Sequence, residues 1–190
     1  MEIAYLHLVT NHIPIIGVPF GLAVLLAAIW RNSDEMKALG FLIFVVLGVA
    51  TVGVFLLGQG GEDFVEGLAG VSHDAIEDHE GFAKFGLASV LAVSVASVFA
   101  LFRYGGFGLL RPRFRKVVNE TGDEKRFPMW VVILVVALGL LSSGILGYTG
   151  RLGGKIRHPE FHQGSPASND LEDGDSGEGR RRRGRNRGER

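Results

Sequence analysis

The chain contains no cysteine, which excludes disulfides, thiolate metal sites and covalently attached haem. Charge is almost missing from four long stretches: residues 13–30, 38–58, 82–102 and 129–149 hold Lys84 as their sole formal charge. Lysine and arginine are missing altogether from residues 59–81. A phosphate loop, a dinucleotide fingerprint and a nucleophile motif are also lacking, so a conventional kinase or hydrolase has no support. No nucleic-acid partner is expected. The leading segment "MEIAYLHLVTNHIP" lacks the basic start of a cleaved signal peptide.

What is there is apolar surface gathered into blocks. Each of the four stretches is about as long as the roughly 20 helical residues that cross a hydrocarbon layer. A soluble bundle is the alternative, but its helices normally keep a polar face. The expected fold is all-α, a four-helix transmembrane bundle over residues 1–162, with helices at about 13–30, 38–58, 73–102 and 129–150 and the lipid bilayer as first partner. Residues 163–190 run from "NDLEDGDSGEG" to "RRRRGRNRGER". That acidic and then basic tail cannot bury a core and is expected to be disordered. Within the spans, Pro14 suits a first helical turn and Pro19 predicts a kink. Gly139, Ser143 and Gly147 recur every fourth residue, a spacing that lets a neighbouring helix approach closely.

Basic residues orient the chain. Residues 31–37 hold Arg31 and Lys37, and residues 103–128 hold Arg103, Arg111, Arg113, Arg115, Lys116, Lys125 and Arg126. These segments lie on one side of a four-span protein and the acidic segment 59–81 on the other, so the positive-inside rule places both termini outside the cytoplasm. The tail arginines lie about 30 residues past the last span, beyond the reach of that rule.

All six histidines, His7, His12, His73, His79, His158 and His162, fall in segments on the acidic side. Histidine transfers protons near neutral pH and ligates haem iron, zinc or copper. In "GVSHDAIEDHEGFAKFGLAS", Ser72 is a candidate N-cap, with Asp74 in the first turn. His79, Gly86, Val90 and Ser97 then share one helical face. His12, Ile16, Pro19, Ala23 and Ala27 share a face of the first helix, again with small residues below a histidine. Two such imidazoles on different helices can hold one haem. Zinc, manganese or iron bound by His73, Glu77 and Glu80, with Glu66 nearby, is a second reading. A scaffold whose histidine-rich rim contacts a partner protein is a third.

The segments "HLVTNHIPIIG", "EDHEGFAKFGLA" and "YTGRLGGKIRHPEF", in this order, resemble a bacterial family of four-helix integral membrane proteins of unknown function. Its members carry a His-x-Pro segment before helix one, a histidine before helix three and Gly-Gly after helix four. The likeness covers about residues 5–162. It marks His7, His12, Pro14, His79, Gly153, Gly154, Arg157 and His158. Some members are joined to iron-sulfur or c-type haem domains, which implies a redox setting in a bacterial inner membrane, with a redox protein or quinone as partner. "IRHPEF" stands where many members have a Tyr-Arg-His-Gly type ending, a departure that bears on His158. The leading expectation is therefore a haem b subunit that passes electrons at the extracytoplasmic face. His12 and His79 are the favoured axial ligands, with His7 and His158 as alternatives, and Glu77 and Glu80 are expected to orient imidazoles or accept protons.

Overall fold

The computed structural model of the protein describes residues 2–66, 73–105 and 127–157. These form α1 (Glu2–Thr10), α2 (His12–Trp30), α3 (Asp34–Glu66), α4 (His73–Arg103) and α5 (Met129–Arg157). The expected N-cap Ser72, the histidines His158 and His162, and the tail lie outside the described residues.

Asn11 keeps helical backbone angles, φ −60° and ψ −22°, so α1 passes into α2 without a loop. The interruption has a local cause: Pro14 has no N–H for the carbonyl of Thr10, and its ring crowds that carbonyl. Pro19, where a kink is expected, lies inside an unbroken α2. Among the described residues, four helical segments are long and apolar enough to cross a membrane: Glu2–Trp30, Asp34–Glu62, His73–Arg103 and Met129–Ile156. Each has 28 to 31 residues, more than roughly 30 Å of hydrocarbon needs at about 1.5 Å per residue. The first helix was expected to start near residue 13 and the second to stop near 58. Both run on and pack together, Ala4 lying so close to Gly61 that a Cβ there would stand 3.0 Å from the Ala4 Cα.

The helices form a ring. α2 packs on α3 and α5, and α4 packs on the same two, so that α2 and α4 stand diagonally; α1 lies against α3. Val18, Leu22, Leu25, Phe41, Phe44, Val90, Val93 and Leu101 fill the interior, closed by Val131, Val132 and Val135. Large apolar side chains such as Ile16, Phe20, Val49, Phe85 and Val95 point outward and stay exposed. Such a surface suits lipid rather than water. At one end of the bundle the buried Lys37 pairs with Asp34 at 2.7 Å, and Phe41 and Tyr104 meet the ring of Phe127 edge to face. The other end carries the histidines.

The bundle is built from two equivalent hairpins. All six buried residues of α2 (Pro14, Val18, Gly21, Leu22, Leu25 and Ala28) have buried counterparts in α4 at unchanged spacing: Gly86, Val90, Val93, Ser94, Ser97 and Ala100. Lys37, Gly40, Phe44, Leu47, Thr51 and Val54 of α3 are matched in the same way by Val132, Val135, Gly139, Ser142, Leu146 and Thr149 of α5. Side-chain sizes differ at several matched positions, a large residue of one hairpin facing a small one of the other within one dense interior. Phe44 illustrates it: its ring comes up to Gly139, its own counterpart, and to Gly21. α2 and α4 run in the same direction, so the pseudo-two-fold axis lies along the bundle.

Candidate functional site

The repeat extends to the histidines. His7 on α1 and His79 on α4 are separated by the same interval as Val18 and Val90, and each reaches a backbone carbonyl of the facing helix. His7 Nδ1 lies 2.9 Å from the Val54 carbonyl oxygen on α3, and His79 Nδ1 lies 3.1 Å from that of Thr149 on α5. A carbonyl can only accept, so Nδ1 donates and the neutral ring keeps its lone pair on Nε2. Both rings are half-buried. They stand on diagonal segments, one on each side of the axis.

Each accepting carbonyl is followed four residues later by a glycine, whose N–H is the carbonyl's ordinary helical partner. A Cβ at Gly58 would stand 2.9 Å from His7 Cε1, and one at Gly153 would stand 3.1 Å from His79 Cε1. The imidazoles come this close only because those side chains are missing. One turn inside His7, on the same face, the Asn11 Oδ1 is buried and has no hydrogen-bond partner. The inner mouth of the site therefore retains unfilled polar capacity.

The two halves differ around the carbonyls. The buried Thr149 has its hydroxyl 2.9 Å from the Ile145 carbonyl and 3.3 Å from that of Phe82, joining α5 to the helix that carries His79. Val54 has no hydroxyl to do the same. On the rim, Glu80 accepts from Gln59 at 2.9 Å and from Lys84 at 3.1 Å, which ties α3 to α4. Glu77 is exposed. His73 is also exposed and pairs with Glu66 at 3.1 Å. Among the described residues no group of three or more His, Asp or Glu side chains could hold a metal ion.

His12 is placed differently from expectation. It is exposed, and the face it shares with Ile16, Pro19 and Ala23 points outward; the inward face carries His7, Asn11, Pro14 and Val18. α2 is apolar all round, so nothing in its pattern distinguishes the lipid side from the core side. On α4 the inward face is Gly86, Val90 and Ser97, with His79 above them. Of the glycine–serine stripe on α5, Gly139 meets Leu22 whereas Gly147 meets nothing within 4 Å. The missed signal was the pair of helix endings "VFLLG" and "TGRLG", Val54 to Gly58 and Thr149 to Gly153, which place leucine and glycine at matching positions.

The geometry defines a four-helix protein of membrane-spanning length with a paired imidazole site at one end. Compared with known proteins, the chain matches no family model, no curated protein and no solved structure.

Proposed function

We propose that this is a small integral membrane redox subunit whose histidine end would hold haem b through His7 and His79. The single observation that carries the reading is the matched pair of Nδ1-to-carbonyl hydrogen bonds. A metal-ligating histidine commonly donates its other ring N–H to such an acceptor, which fixes the tautomer and raises ligand basicity. The donor set favours haem over a bare ion: a porphyrin supplies four nitrogen ligands and needs two more at most, whereas zinc takes three or four from the protein. Gly58 and Gly153 let the rings lie against the facing helices, and Asn11 offers a buried, unpartnered amide oxygen one turn from His7.

The residues divide the work by position. His7 and His79 stand on opposite sides of the axis and would hold the group. Val54 and Thr149 orient them, and Gln59, Glu80 and Lys84 brace the rim where α3 meets α4. Iron held by two imidazoles supplies one-electron transfer. Quinone or a redox protein is the partner in this reading. A bacterial inner membrane with both termini extracytoplasmic is its setting, argued from the basic segments and the family resemblance.

The test is an absorption spectrum with metal analysis on the full-length protein, purified in detergent after expression with ample haem. Reduced b-type bands are expected, lost or shifted in His7→Ala and His79→Ala and unchanged in His12→Ala and His73→Ala. A protein without such bands overturns the haem reading; bands that move in His12→Ala and not in His7→Ala overturn the ligand pair.

A further inference from the structure

We propose that the outer groove between α4 and α5 seats one anionic membrane lipid, its acyl chain lying along the groove and its phosphate at Arg103. The groove lies in the half of the bundle away from the histidines, and its occupant does not depend on the haem reading. It has a volume of about 620 Å³. Ala88, Ala92 and Ala96 of α4 keep it shallow-walled and open, and Phe99, Trp130 and Leu134 stand along it. From Ala88 to Phe99 it runs roughly 16 Å at about 1.5 Å per residue. That is the depth of one leaflet of a hydrocarbon layer about 30 Å thick.

The mouth of the groove decides what fills it. Arg103 follows Phe99 by one helical turn, so it shares the groove face, and it is exposed. Among the described residues its guanidinium meets the ring of Tyr104 and is paired with no carboxylate. Trp130 stands in the first turn of α5, whose positive end lies at the same mouth, and tryptophan is favoured at the headgroup boundary. Residues 104–126, which join the two helices, have six basic side chains against three acidic ones. Basic pockets between spanning helices suit anionic headgroups. A second copy seated on this face about an axis along the bundle would set Arg103 against Arg103, whereas a lipid phosphate brings the opposite charge.

The hairpin repeat supplies an internal contrast. On the matching face of α2, Ile16, Phe20 and Val24 stand where α4 has Ala88, Ala92 and Ala96. Arg31 corresponds to Arg103, but Glu35 takes the position of Trp130. One hairpin thus combines an open apolar groove with an unpaired cation, and the other combines bulky side chains with a carboxylate at the mouth.

The chain's two tryptophans are Trp30 and Trp130, so Trp30→Phe leaves Trp130 as the sole indole reporter. This full-length protein is reconstituted into phosphatidylcholine vesicles containing increasing fractions of phosphatidylglycerol or phosphatidylcholine with brominated acyl chains, which quench an indole on contact. Phosphatidylglycerol is expected to quench Trp130 with an apparent affinity about fivefold higher, the gain from one basic residue at the membrane surface. Arg103→Gln should bring the two lipids to equality. Ala92→Phe, which installs the residue of the matching α2 position at an exposed site, should remove the preference with Arg103 still in place. Trp130→Phe with Trp30 retained should report no preference. Equal quenching of Trp130 by the two lipids overturns the proposal; if Ala92→Phe then dissociates an oligomer in sedimentation, the groove seats a second copy instead. A preference that survives Arg103→Gln or Ala92→Phe, or that is equally strong at Trp30, also overturns it, since it marks diffuse attraction to the membrane surface.

Discussion

Beside each imidazole a missing methyl group sets how near the ring can come to the carbonyl that holds it. Gly58→Ala and Gly153→Ala are therefore expected to displace His7 and His79 and, in the haem reading, to weaken or shift the haem bands. The former is the more severe, with its added Cβ at 2.9 Å rather than 3.1 Å from the ring. Gly147, with nothing within 4 Å, is the control: alanine there should raise thermal stability in detergent by about 0.4–1 kcal/mol through the unfolded chain. If all three substitutions behave alike, the close approach has no consequence for the site.

At the scale of the helix, polarity at the span ends matters more than apolar pattern within them. Lys37 is buried and paired with Asp34 at the start of α3, while its counterpart Val132 on α5 is buried without any charge. Removing one partner of a buried pair leaves a charge uncompensated, whereas an apolar replacement of similar size removes the burden. Asp34→Asn is accordingly expected to cost up to about 3 kcal/mol and Lys37→Met much less, in thermal unfolding followed by circular dichroism. A larger loss in Lys37→Met would show that the lysine has a role other than being neutralised. The same contrast explains α2, whose all-apolar pattern left His12 favoured over His7 until packing against α3 turned His7 inward.

For the whole molecule, two hairpins around one axis place α1, the end of α3, the start of α4 and the end of α5 at the same end of the bundle. With the basic segments cytoplasmic, a reporter fused after Arg190 is expected to be active only if it works outside the cytoplasm. Activity of a strictly cytoplasmic reporter would reverse the orientation. Truncation after Gly164 should leave the haem spectrum and thermal stability unchanged, since the removed residues are poor in apolar surface. Loss of folded protein would assign the tail a structural part.

Hydropathy and length alone determined the class of fold, because the roughly 30 Å of hydrocarbon demands runs that can be counted in a sequence, and the four blocks are such runs. They also drew attention to His79, since Gly86, Val90 and Ser97 recur below it at helical spacing. Tertiary structure decided which histidine stands across from it. His7 and His12 are both polar groups at the mouth of an apolar helix, and the choice depends on rotation about the helix axis, which Gly58, Gly61 and Val54 of α3 fix from far along the chain. The hairpin repeat was hidden for a related reason. Matched positions such as Phe44 and Gly139, or Leu25 and Ser97, differ in size because they fill one interior together, so their equivalence lies in burial and not in residue type.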